Sequence, residues 1–320
     1  MRKKIGLGTW SWGNQLLWGY QTSSDNILFE AYREALNKGY SLIDTADSYG
    51  TGKFNGRSEK LLGFFLSQTS QFQKNKIQIA TKLAPYPWRI GRNGFNQPYK
   101  NSLERLNNKL DIVQLHWSTA KYNPYQEFQL LNNLCDLNEK GFQFKIGLSN
   151  VGPLKLQEII NFLAQRNKKL HCVQVQFSLL APNIETQKKV KEICAVNKID
   201  FLAYSPLSFG LLCKNPYSKK VLNRSLLRNF IFNFYEESSL EIRYALFEIA
   251  QKRGVSQAQV AINWCCYQGA IPIVGSRTKS QVKDIAGVLK WNLSETEFQE
   301  LDSLSRQCKK KFINNPFASK

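Results

Sequence analysis

Along the chain, short runs of β-branched and aliphatic residues alternate with longer segments whose apolar positions recur every three or four residues. The runs are KIGLGTW from residue 4, SLIDTA from 41, IQIATK from 77, DIVQLHW from 111, FKIGLSN from 144, CVQVQF from 172, DFLAYSP from 200 and IPIVGS from 271. Between them, DNILFEAYREALNKG, GPLKLQEIINFLAQRNKK and NIETQKKVKEICAVNK carry helical spacing. In the first of these, Ser24 or Asp25 is placed to cap the start and Gly39 to end the helix. Strand then helix, at roughly thirty residues per unit, predicts right-handed crossovers and a parallel sheet, and eight such units close naturally into an α/β (β/α)8 TIM barrel. A doubly wound sheet is the runner-up, weakened because no G-x-G-x-x-G follows the first strand.

Residues 1–320 therefore read as one barrel domain with a single long interval, between strands seven and eight. It holds a basic loop, CKNPYSKKVLNRSLLRN, and two helical patterns, SLEIRYALFEIAQKRG and SQAQVAINWCCYQG. The expectation is an extended loop and helix insertion over the barrel mouth at about 206–255, then the seventh helix.

Barrel enzymes build their sites at the C-terminal ends of the strands, and here those ends are polar. Asp44 ends strand two, Lys82 strand three and His116 strand four, while DTADSYG places Tyr49 on the loop after strand two. His171, the second histidine, precedes strand six on the opposite face and reads as structural. A lysine among barrel side chains needs a carboxylate to stay charged, which suits Asp44, and its ammonium is expected to lower the pKa of the Tyr49 phenol. With His116 orienting a carbonyl oxygen, the set has the parts of a general acid that protonates an alkoxide as hydride arrives from a cofactor.

Composition narrows the partners. Lys and Arg number 44 against 24 Asp and Glu, a net charge of +20, yet the cations are spread along the chain without a nucleic-acid recognition motif. A solvated basic surface that steers anionic small ligands is expected, with neither a nucleic-acid nor a membrane partner. No apolar run reaches the length of a membrane span, the start lacks a secretory pattern, and seven cysteines without a C-x-x-C pair argue against a disulfide framework. A reducing cytoplasm fits, and oligomeric state is not legible.

In order and spacing, DTADSYG, ATK and LHW resemble the aldo-keto reductase family, over about residues 5–305. The resemblance implies NADPH as cofactor and an Asp44, Tyr49, Lys82, His116 catalytic set. It also implies that Ser149, Asn150 and Gln176 hold the nicotinamide carboxamide and that Tyr204 stacks on the ring. Ser205, Leu207 and Gly210 would pass the pyrophosphate, and Gly275, Ser276, Arg277, Gln281 and Asp284 would surround the adenosine 2′-phosphate and adenine. A guanidinium such as Arg277 pairs with that phosphate through two parallel hydrogen bonds. The family's T-G-K after strand seven is replaced by CKN at 213–215, so its lysine is shifted or lost, and Arg224 and Arg228 are candidate clamps.

A narrower resemblance is carried by APYPWR, QLHWSTAKYNP, VQFSLL and VAINWC. It is to the members of plant plastids that reduce the aldehyde of pyridoxal to pyridoxine in vitamin B6 salvage. A broad aromatic-aldehyde reductase and a non-catalytic NADPH-binding subunit are the alternatives. The stretch GTWSWGNQLLWGYQTSSD follows strand one and so belongs to the same face. Trp10 is expected beside the cofactor, Trp12 and Trp117 as walls of the aldehyde pocket, and Trp18 as a loop anchor.

Overall fold

The computed structural model describes residues 3–181, 183–218, 225–312 and 319. All eight predicted strands form, as β1 (Gly6–Gly8), β2 (Leu42–Asp44), β3 (Gln78–Leu83), β4 (Ile112–Leu115), β5 (Lys145–Ser149), β6 (Leu170–Gln176), β7 (Asp200–Tyr204) and β8 (Ile271–Gly275). They pair in chain order, every pair parallel, and β8 returns to β1 to close the barrel.

Two hydrophobic layers follow from the two-residue side-chain period of a strand. Residues facing outward join the large core between barrel and helices, whereas Leu42, Ala80, Ile112, Cys172, Leu202 and Ile273 form a separate small cluster inside the barrel. Glycines complete that plug: a Cβ on Gly6 would lie 2.6 Å from Ile273, and one on Gly147 would lie 2.7 Å from Cys172. Two residues on, toward the C-terminal ends, the same inward positions carry Asp44, Lys82, Gln114, Gln174 and Tyr204. A polar layer thus sits on an apolar floor, and the site is built from it.

The first crossover helix spans Asp25–Asn37, but neither expected cap acts as one. Ser24 makes no side-chain cap hydrogen bond, and the Asp25 carboxylate binds the Tyr20 hydroxyl and Arg57 instead. Gly39 does follow the helix with φ +77°, a left-handed conformation that glycine adopts without strain.

The long interval after β7 is more helical than its sequence suggested. A 3-10 segment at Ser208–Cys213 is followed by helices Leu226–Tyr235, Leu240–Arg253 and Gln257–Tyr267, so the supposed basic loop ends in a helix from Leu226 onward. Ser225 caps that helix by accepting the Arg228 amide, and Ile231, Phe232 and Tyr235 bury its inner face. The same Ser225 hydroxyl donates to the carbonyl of Leu17 at 2.9 Å, which fastens the insertion to the β1 loop across the barrel mouth.

Candidate active site

The polar layer is organised around the Lys82 ammonium. Its three donors are used fully, on Asp44 Oδ2 at 2.6 Å, the Thr45 carbonyl at 2.8 Å and the Tyr49 hydroxyl at 3.0 Å. The other Asp44 oxygen accepts from the side-chain amides of Gln174 at 2.8 Å and Gln114 at 3.2 Å. Lysine and aspartate side chains are only 1% and 3% exposed, a burial that ions withstand only when paired and hydrogen-bonded in this way. Burial pulls the Lys82 pKa down, but Asp44 and Tyr49 outweigh it and the net shift is upward, so the ammonium is charged.

Tyr49 departs from expectation. Its pKa is raised: burial pushes the phenol up, the Lys82 charge opposes that, and the Asp44 charge reinforces it. The expected lowering considered the ammonium without the loss of water. The DTADSYG loop that carries Tyr49 lies along β3, with the amides of Thr45 and Asp47 donating to the carbonyls of Ala80 and Lys82. Arg89 fastens the loop from above, donating to the Asp47 carboxylate at 2.5 Å and the Ala84 carbonyl at 2.7 Å.

His116 is at the next strand end, its ring centroid 5.8 Å from that of Tyr49. Burial, then the charges of Lys82 and Arg89, hold its pKa well below the ordinary histidine value, so the imidazole is neutral. Its Nδ1 shares a hydrogen bond with Ser48 Oγ at 3.2 Å. His171, by contrast, is at the N-terminal end of β6, 3.9 Å from Asp200 and away from this group.

These residues open into a cavity of about 1060 Å³ that runs across the barrel mouth. Asp44, Tyr49, Lys82 and His116 share its wall with Ser149, Asn150, Gln176 and Tyr204, and further on with Ser205, Leu207, Gly210, Gly275, Arg277, Gln281 and Asp284. Trp10 and Trp117 line it, and so does Trp18, which was expected only to anchor its loop.

Two expected residues do not reach the cavity. Trp12 is fully buried against Phe65 of helix Arg57–Ser67, because a turn closed from its amide to the Thr9 carbonyl sends the indole outward into the core. Ser276 is buried as well, its carbonyl accepting from the Trp12 indole at 3.5 Å. Arg224 lies outside the described residues.

Sequence reasoning missed two neighbours of the tetrad and left two others open. Gln114 and Gln174 stand two residues before His116 and Gln176, an inward spacing that would have found them. Arg228 lines the cavity with its guanidinium 4.4 Å from the Trp18 ring centre and a 2.6 Å hydrogen bond to the Phe209 carbonyl. Lys214, in the CKN stretch where the lysine was expected to be shifted or lost, lines the cavity and is ion-paired with Glu236.

The donor set suits a nicotinamide dinucleotide. At one end, Asn150 donates to Ser149 Oγ at 3.0 Å and accepts from Tyr204 at 2.7 Å, which leaves the Ser149 hydroxyl hydrogen directed elsewhere. Ser11, also in the wall, has a buried hydroxyl with no hydrogen-bond partner among the described residues. At the other end stand Lys214, Arg228 and Arg277. Between them Ser205, Ser208, Phe209 and Gly210 all have positive φ (51°, 47°, 58° and 92°), a strain that non-glycine residues bear mainly at functional loops.

A closed eight-stranded barrel with a buried Asp and Lys and a half-buried Tyr and His at its C-terminal mouth defines a class, and the chain belongs to the aldo/keto reductase family, whose model matches residues 4–306. Among individual relatives, it is 44% identical to the chloroplastic pyridoxal reductase of Arabidopsis thaliana, over 99% of this chain and 87% of that protein. An aldo-keto reductase of Bacillus subtilis (strain 168) is 28% identical over 94% of this chain and 89% of its own length. Among solved structures, the glycerol dehydrogenase of Gluconobacter oxydans superposes with a TM-score of 0.77 at 24% identity, covering 98% of this chain and 95% of that one. A thermostable aldo-keto reductase does so with a TM-score of 0.72 at 23% identity, covering 94% of each chain. The chain is an oxidoreductase of this family. Among the described residues no helix is long and apolar enough to cross a membrane.

Proposed function

We propose that residues 1–320 act as one barrel domain, with the insertion at about 206–255 as its roof, and reduce an aldehyde to an alcohol at the expense of NADPH. The preferred substrate is pyridoxal. The observation that carries the reading is the Lys82 ammonium shared between Asp44 and Tyr49 beside a neutral His116, at the floor of a cavity with amides at one end and cations at the other.

Ser149, Asn150 and Gln176 would hold the nicotinamide, and the bound cofactor would supply hydride for the carbonyl carbon. The chain's own groups handle the oxygen. Neutral His116 and the Tyr49 hydroxyl meet the carbonyl oxygen as donors, and Tyr49 releases its proton as negative charge develops there. A raised phenol pKa keeps that proton in place until an alkoxide, a far stronger base than a phenolate, draws it off. Lys82 then stabilises the phenolate, and Asp44, held by Gln114 and Gln174, keeps Lys82 charged.

Pyridoxal is supported by the 44% identity to the Arabidopsis enzyme and by a wall suited to a flat ring. Trp117 is held there by its indole hydrogen bond to Tyr122 and by the edge-on Tyr86 ring, 5.8 Å between centroids. Arg277, Arg228 and Lys214 favour NADPH, whose extra phosphate they can pair. The test is loss of nicotinamide absorbance across an aldehyde panel with NADPH or NADH. Pyridoxal with NADPH should give the highest kcat/KM; a generic aromatic aldehyde performing as well would leave the family activity and remove the specific substrate.

A further inference from the structure

Helix Leu226–Tyr235, LLRNFIFNFY, carries large apolar residues well beyond the face it buries. Its inner face, Ile231, Phe232 and Tyr235, packs on the core. The opposite face is bare: Leu226 is 89% exposed, Phe230 68% and Phe234 50%, at helical spacing of four residues. The short helix Gln15–Trp18, which packs against it, also exposes an apolar side chain, Leu16. Cations rim the patch. Lys310 lies 3.2 Å from the Phe234 ring centre, Lys309 is exposed beside it in sequence, and the helix itself contains no acidic residue. Of the two glutamates that follow, Glu236 is paired with Lys214 and Glu237 is exposed.

We infer that this face docks on an anionic lipid surface. Exposed phenylalanine and leucine with lysines beside them match a helix lying in a membrane interface, where apolar burial and attraction to anionic headgroups act together. Protein interfaces also favour phenylalanine, but they are depleted of the lysines found here. A second copy of this chain fits poorly, because a two-fold contact through the patch would bring two lysine rims together on molecules each carrying +20. The expectation of no membrane partner rested on the lack of a spanning segment, which a helix lying flat on the surface does not need.

The test is sedimentation of the full chain with vesicles of phosphatidylcholine alone and of phosphatidylcholine mixed with phosphatidylglycerol. The protein should pellet with the mixed vesicles only, and less so at high salt. Phe230→Ser with Phe234→Ser should lower the bound fraction about tenfold, from the lost apolar burial. Lys309→Glu with Lys310→Glu, which leaves the apolar face intact, should weaken binding several-fold. Equal behaviour with neutral and mixed vesicles, or wild-type binding by both variants, would overturn the inference. So would light scattering that shows a wild-type dimer dispersed by the phenylalanine changes.

Discussion

The two ends of the cavity are built on different principles. At the tetrad, every side chain but one projects from a strand or from the residue that follows it, the ion pair is buried, and the ammonium's donors are spent on protein acceptors. At the cation end, the residues ride on loops and on the insertion, their guanidiniums are held by carbonyls and an indole face, and the backbone beneath them is strained. The first arrangement fixes a proton donor before substrate arrives. The second holds charges in provisional contacts that an anionic ligand can replace.

If that contrast is sound, damage at the tetrad should be severe and specific to chemistry or fold. The largest effect is expected for Lys82→Met, which leaves the Asp44 carboxylate buried without its countercharge. Removing one partner of such a pair costs about 3–5 kcal/mol. Thermal unfolding should show a large loss and turnover should vanish; unchanged stability in this variant would mean the pair is not buried as described. Tyr49→Phe, smaller in structural terms, removes one hydroxyl from an otherwise intact site. We expect kcat to fall about 10²- to 10⁴-fold, with NADPH affinity measured by fluorescence quenching unchanged. Retained turnover would exclude Tyr49 as the acid.

The same contrast explains what was legible in the sequence. Asp44, Lys82 and His116 end strands whose hydrophobic alternation is plain, so both their position and their inward direction follow from a period of two. Trp12 failed because loop residues have no such period: a single turn at Thr9 decides whether an indole enters the cavity or the core. The insertion helix failed because its ten residues follow directly on a run of basic and polar residues, which reads as a continuous loop. The direction of the Tyr49 shift failed for a third reason. Desolvation depends on the packing of the whole bowl, whereas a neighbouring charge is visible as a motif.

At the cation end the expected losses are intermediate. Arg277 donates to the Trp18 carbonyl and lies 5.8 Å from that ring's centre, and burial lowers its pKa without any carboxylate to raise it. A phosphate would supply the missing countercharge. Arg277→Ala should therefore reduce NADPH affinity about ten- to a hundredfold, the size of a charge-assisted hydrogen bond or two, and leave NADH affinity nearly unchanged. Equal losses for both would make Arg277 a support for Trp18 rather than a reader of phosphate.

The smallest effect, and the one that sharpens the contrast most, concerns the Asp47–Arg89 clip over the tetrad loop. Burial raises the Asp47 pKa to about 6, with Arg89 pulling the other way. A carboxyl whose folded pKa exceeds its unfolded value contributes stability at low pH that is lost as pH climbs through the folded pKa. In the wild type that loss is complete a little above pH 6. Arg89→Gln removes the guanidinium and pushes the Asp47 pKa higher, so the variant keeps losing stability toward pH 8. At pH 5, where Asp47 is mostly protonated in both proteins, the gap in Tm should be slight; by pH 8 it should widen by about 2–4 °C. A gap that is the same at both pH values would mean that Arg89 acts through its hydrogen bond to Ala84 and not through charge, and the clip would then resemble the provisional contacts of the cation end.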